Sequence, residues 1–170
     1  MDEIEIVPAD PAWPAMFAAE AAQLWALLPQ PLILDLQHFG STAVPGLAAK
    51  PIIDMLLATP DLAAARTAFP PLLGAHGYAF WADNPQTDRL LFIKGLPPAA
   101  PRRTHHLHVF EWGGELWSQL TFRDHLRAHA DDAAAYAALK QALAVRHRDD
   151  REAYTAAKSA FIRQTTDRRS

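Results

Sequence analysis

Two segments of the chain place chemically capable side chains at short spacing. The first runs His38-Phe39-Gly40-Ser41-Thr42-Ala43-Val44-Pro45-Gly46-Leu47-Ala48-Ala49-Lys50-Pro51-Ile52-Ile53-Asp54. A strand ending in Gly40-Ser41 lets the backbone come close to a ligand. Exposed N–H groups with the hydroxyls of Ser41 and Thr42 then suit an anion such as a phosphate. Val44-Pro45-Gly46-Leu47 fits a type II turn, with proline second and glycine third. Lys50 arrives just before the next strand and can point its ammonium at the same anion. Asp54 stands among Ile52, Ile53, Met55 and Leu56, where a carboxylate is costly to bury unless a cation, metal or donor satisfies it. A pairing with Lys50 or the capping of a nearby loop would also satisfy it, and Gly40 and Gly46 could serve as plain turn residues.

The second segment is Thr104-His105-His106-Leu107-His108-Val109-Phe110. On a strand alternate residues share a face, so His106 and His108 project together while His105 looks the other way. Two histidines on one face can chelate a metal or grip a phosphate. The alternative is a pair of satisfied core histidines. The HExxH spacing of zinc proteases, a Walker lysine motif, GxGxxG and the G-x-S-x-G elbow are all missing from the sequence.

These segments need a scaffold, and its elements are legible. Asp10 reads as an N-cap with Pro11 at the first helical position, followed by Trp13, Phe17, Leu24 and Leu28 near helical spacing until Pro29 and Pro31. Strands are expected at Leu32–Phe39, Pro51–Ala58, Tyr78–Trp81, Leu90–Lys94 and Thr104–Glu111. A helix opens at Pro60-Asp61, and Pro70-Pro71 should break or kink it. Pro97–Arg103 reads as a loop. From Gly114 the chain turns helical, with helices at Leu116–Ala128, Asp132–Arg146 and Asp150–Gln164, and Asp149 with Glu152 resembles a capping box. Asp132…Tyr136…Lys140 is echoed by Asp150…Tyr154…Lys158, which two similar amphipathic helices with i,i+4 contacts would explain. The expected fold is α/β (α+β), a sheet of about five strands with a helical C-terminal part at about 114–165 on one face. Whether that part closes over the first segment is open, although Tyr136, Lys140, Tyr154 and Lys158 are in reach of it.

The 170 residues suit a single domain, residues 1–170, and half of them are hydrophobic. Zero cysteines exclude disulfides and thiolate metal sites. The formal charge of −3 gives no basic field for nucleic acid. Arginines cluster at Arg102-Arg103 and from Arg146 to Arg151, and both groups read as solvated surface. The acidic start, Met1-Asp2-Glu3-Ile4-Glu5, lacks the apolar stretch of a secretory signal, and no apolar run approaches the roughly 20 residues of a membrane span. A cytoplasmic protein without a membrane partner is expected.

The first segment resembles the signature of the GrpB family, as do Thr104-His105-His106-Leu107-His108-Val109, Phe122-Arg123-Asp124-His125-Leu126-Arg127 and the run from Tyr136 to Ile162 that holds Lys140, Tyr154, Lys158 and Phe161. The resemblance implies a nucleotidyltransferase-like fold, a small mixed sheet flanked by helices. It implies further that a Gly-Ser pair, here Gly40 and Ser41, holds a nucleotide's phosphates. Acidic residues on the next strand, here Asp54, would hold divalent metal ions. Similar domains also occur fused to dephospho-coenzyme A kinase. One departure matters, because the wider superfamily usually places a second acid two residues on and here that position is Leu56.

Three readings follow. The first is a nucleotidyltransferase acting on an unknown acceptor, with Gly40, Ser41, Thr42, Lys50 and Arg123 on the phosphates and Mg²⁺ or Mn²⁺ on Asp54. Asp54 and Lys50 are then the residues closest to the chemistry, and Arg123 has structural pairing with Asp124 as its alternative. The second is a module that binds a nucleotide or a coenzyme A-like phosphate without turnover. The third is a metal-dependent hydrolase or phosphotransferase built on Asp54, His106 and His108, whose imidazoles favour transition metals over Mg²⁺.

Overall fold

The computed structural model describes residues 5–98, 100–113 and 118–167. In chain order come α1 (Trp13–Leu27), β1 (Asp35–Phe39), β2 (Ile53–Thr59), α2 (Leu62–Gly74), β3 (Tyr78–Phe80), β4 (Arg89–Lys94) and β5 (His105–Glu111). The helices α3 (Ser118–Ala128), α4 (Ala130–Arg146) and α5 (Arg151–Asp167) follow. The strands form one mixed sheet in the order β1-β2-β5-β4-β3. Its central pair, β2 and β5, runs parallel, and the other pairs are antiparallel. This is the mixed sheet flanked by helices that the sequence led us to expect.

Strand alternation sorts the side chains onto two faces. Ile53, Met55 and Leu57 of β2 join Leu107, Val109, Leu90 and Phe92 in the main core, which α1 and α2 cover through Trp13, Leu24, Phe69 and Leu73. On the opposite face Leu56 and Ala58 pack with Phe39, Phe110 and Leu120 of α3. Val44 and Leu47 of the β1–β2 connection pack with Phe122, Leu126 and Tyr136, so α3 and α4 are anchored to that connection. Asp54, His106 and His108 belong to this second face by parity, since Asp54 pairs with His106 and Leu56 with His108 in the parallel register.

Some local expectations shift. Helix α1 begins at Trp13 with Ala12 as its cap, not at Pro11. The Asp10 carboxylate accepts from the Ala12 N–H at 2.8 Å, so it closes a short turn ahead of the helix instead. Residues Gln30–Leu32 form a 3-10 turn, and pairing with β2 opens only where the Leu34 N–H donates to the Ala58 carbonyl. Helix α2 runs unbroken from Leu62 to Gly74 with Pro70 and Pro71 inside it, so of the expected break or kink the break does not occur. Ala65, Phe69 and Leu73 are fully buried on its inner face. That packing outweighs the hydrogen bonds two prolines forfeit. The cap of α5 is Asp150, whose carboxylate accepts from the Ala153 N–H at 2.9 Å, one residue beyond the expected Asp149. The expected helix start at Gly114–Leu116 lies outside the described residues. Gly46, with φ +76, and the bond from the Leu47 N–H to the Val44 carbonyl give the turn expected at Val44–Leu47. Among the described residues no helix is long and apolar enough to cross a membrane.

Candidate functional site

The geometry starts at the end of β1. Phe39 pairs with Asp54 across the antiparallel ladder, and the next residue, Gly40, takes φ +71 and ψ −169. Only glycine enters that backbone region readily. Space makes the same demand, because a Cβ at Gly40 would lie 2.8 Å from Asp54 Oδ2. Ser41 then opens a 3-10 turn through Ala43 and shares a side-chain hydrogen bond with Tyr136 of α4. Loop and carboxylate are thus packed in contact, with the hydroxyl of Ser41 beside them.

Asp54 meets the histidines of β5. His106 Nδ1 lies 3.2 Å from Asp54 Oδ1. The His106 and His108 rings are 6.3 Å apart, and the edge of one aromatic contact sets His108 against Phe39 at 5.3 Å. Ligand atoms of Asp54, His106 and His108 all fall within 4.8 Å of one another. His105 faces the other way, with its Nδ1 2.9 Å from the Thr104 hydroxyl, as alternation requires.

Electrostatics favour a charged carboxylate beside a neutral imidazole. Burial works to raise the Asp54 pKa, but the hydrogen bond from His106 and the charges of His106, His108 and Lys50 outweigh it, holding the group at about 2. Burial pushes His108 down to about 4, against a smaller opposing pull from Asp54. At neutral pH the pair is therefore carboxylate and neutral imidazole, the forms that bind metals. His106 Nε2 and His108 Nδ1 are buried and lack a hydrogen-bond partner. Buried orphan nitrogens call for an explanation, and a metal ion taken up between these groups fits one carboxylate and two imidazoles.

The remaining sequence candidates divide. Lys50 is close enough for its charge to act on Asp54, and its ammonium lies 5.6 Å from the Tyr154 ring centroid. Thr42 is buried, its hydroxyl 2.9 Å from His38 Nε2 and donating to the Ile52 carbonyl. Arg123 is buried too, donating to Gln37, to the His38 carbonyl and to Asp124. The structure thus uses Thr42 and Arg123 to fix the β1 end and the loop after it. Leu56, where the superfamily pattern would put a second acid, is fully buried between Phe39, Ala58, Phe110 and Leu120.

Two side chains outside the initial site set join the cluster. Lys140 of α4 lies 5.0 Å from the Tyr136 ring and donates to the Ala48 carbonyl of the β1–β2 connection. Lys158 of α5 lies 4.5 Å from the Tyr154 ring, and the Asp54 charge acts on it. The signal was the echo of Tyr-x-x-x-Lys in the two helices, which periodicity alone cannot tell from ordinary amphipathic helices.

Comparison with known proteins agrees with this architecture. The family model described as "GrpB protein" matches residues 3–168. A UPF0157 protein of Pseudomonas aeruginosa is 51% identical over 86% of this chain and 59% of its own length. A protein named dephospho-CoA kinase from Mycolicibacterium paratuberculosis is 32% identical over 82% of this chain and 39% of its own length. The chain therefore spans only part of these curated relatives, 59% of one and 39% of the other. The crystal structure of conserved protein GrpB from Enterococcus faecalis superposes with a TM-score of 0.84 at 32% identity, covering 96% of both chains. With nearly its whole length matched by the family model and by that structure, the chain belongs to the GrpB family.

Proposed function

We propose that this chain is a metal-dependent enzyme acting on a nucleotide, with transfer of the nucleotidyl group to an acceptor as its reaction. The observation that carries the reading is the convergence of Asp54, His106 and His108 against the Gly40–Ser41 loop, where only a glycine leaves room for the carboxylate. Asp54, His106 and His108 would hold the metal. The donor set favours Mn²⁺ or another transition metal over Mg²⁺. When bound, the ion would act as a Lewis acid on a phosphoryl oxygen.

The chain's own residues supply the rest. The turn opening at Ser41 offers N–H groups and a hydroxyl to a phosphate, and Lys50 neutralises charge beside it. In the transfer a bond forms from the acceptor oxygen to the α-phosphorus. The bond to the leaving pyrophosphate breaks with its electron pair on the pyrophosphate, and the acceptor proton is released to water.

The test is pyrophosphate release by the purified chain with each nucleoside triphosphate and Mn²⁺, Zn²⁺, Mg²⁺ or chelator. Release that needs a metal and is lost in Asp54→Asn supports the reading. A second reading rests on the buried Leu56, which leaves this strand without a second acid: the site would bind a nucleotide or coenzyme A-like phosphate without turning it over. Thermal stabilisation by such ligands with no product in any metal would favour that one.

A further inference from the structure

Lys50, Lys140 and Lys158 come from three separate elements, the end of the β1–β2 connection, α4 and α5. They are near enough that the charges of Lys50 and Lys158 act on Lys140, and that of Lys50 on Lys158. Lys140 is only 1% exposed, and the acceptor of its ammonium is a backbone carbonyl. Among the described residues neither Lys140 nor Lys158 has an ion-pair partner, and Asp54 is the carboxylate whose charge acts on Lys158 and on Lys50. Buried like charges that outnumber the acid beside them repel one another and lose their hydration. The fold does not relax them apart. Tyr136 and Tyr154 are themselves buried, Tyr136 with Lys140 over its ring and Tyr154 with both Lys158 and Lys50 over its own, at 4.5 and 5.6 Å.

A ligand with several linked negative charges would relieve this arrangement, and the position of the cluster says which end of it belongs there. Tyr136 joins the cluster to Ser41, and Lys50 and Lys158 both feel Asp54. We propose that Lys50, Lys140 and Lys158 form a receptor for a polyphosphate chain of at least two linked phosphates, with the terminal phosphates on the lysines and the first toward the Gly40–Ser41 loop. In a transfer the leaving pyrophosphate gains a charge as its bond to the α-phosphorus breaks, and the lysines stabilise that charge where it develops. The assignment of the leaving group rests on the nucleotidyl-transfer reading; the receptor does not.

The experiment is calorimetric titration of the full chain in chelator with tripolyphosphate, pyrophosphate, orthophosphate, ATP and AMP. It is done for the wild type, Lys140→Gln, Lys158→Gln and Lys158→Arg, with folding checked by circular dichroism. Tripolyphosphate and ATP should bind at least tenfold more tightly than orthophosphate and AMP. Each glutamine variant should lose at least tenfold in tripolyphosphate affinity, while Lys158→Arg retains most of it. Binding of ATP but not of tripolyphosphate would place recognition on the nucleoside and overturn the receptor. So would folded glutamine variants that bind as the wild type does. Lys158→Gln decides alone if Lys140→Gln does not fold. Lysine-dependent tripolyphosphate binding in a chain that never releases pyrophosphate would sink the transfer reading and leave the receptor standing.

Discussion

Gly40 and Asp54 fill one space between them: a single added methyl at Gly40 would lie 2.8 Å from Asp54 Oδ2. The loop and the carboxylate are therefore fixed to each other, and so is any ligand that spans both.

Replacing Gly40 by alanine imposes both the positive φ and the clash. We expect a stability loss of roughly 1–3 kcal/mol from the backbone alone, and Mn²⁺ affinity reduced by more than tenfold because Asp54 must move. Gly46 also has positive φ, but nothing lies within 4 Å of where its Cβ would be. Gly46→Ala should share the stability loss and keep the metal affinity. Equal metal affinity in the two variants, read by calorimetry, would separate Gly40 from the site.

Removing one imidazole tests the donor set. His108→Ala should fold and lose Mn²⁺ or Zn²⁺ binding by more than about tenfold, since disturbing even a partner of a metal ligand costs roughly 10–100-fold. His105→Ala points to the other face and should leave metal binding unchanged. An effect of similar size in both would show that β5 is merely perturbed.

His38 gives the chain an acid-sensitive core position. It stacks on Phe17 at 4.8 Å and contacts the Thr42 hydroxyl, and burial pushes its pKa down to about 4. The unfolded chain then binds more protons than the folded one between about 4 and the ordinary 6.5. Stability present above the upper value is lost as the pH falls through that window. Tm should drop from pH 6.5 to pH 4, with a smaller drop in His38→Gln.

Lys140 acts in the alkaline range with the same sign. Burial and then the charges of Lys158 and Lys50 push its pKa down to about 7 from 10.5. Between those values the unfolded chain carries the extra proton, so stability rises with pH. Lys140→Met should flatten the rise between pH 7 and 10 and raise Tm at pH 6, by about 2–4 °C for each kcal/mol relieved. A lower Tm at pH 6 would mean that the bond to Ala48 outweighs the charge burial.

Anion binding should reverse that shift. A bound polyphosphate favours the charged lysines, so tripolyphosphate affinity should be greatest below about pH 7 and fall as the pH rises past the values of about 7 for Lys140 and about 8 for Lys158. Titrations at pH 6, 7.5 and 9 read this directly, and an affinity independent of pH would remove both lysines from the contact.

Much of the site was legible because it depends on local rules. Period-two alternation alone puts His106 and His108 on one face and His105 on the other, and a glycine before Ser41 marks a backbone that must approach something closely. Local rules failed where packing competed with them. Pro70 and Pro71 stay within α2 because Phe69 and Leu73 are buried against the sheet, and Asp10 turned to Ala12 instead of capping the helix.

The sequence by itself determined the strands, the helices and which side chains share a face, since these follow from spacing over a few residues. Only the tertiary structure decided that Asp54 stands opposite His106, because a parallel register joins segments some fifty positions apart in the chain. It also decided that Lys140 and Lys158 turn toward the loop. That orientation comes from α4 and α5 packing their tyrosines against the chain, and no periodicity within a helix says what its buried face will meet.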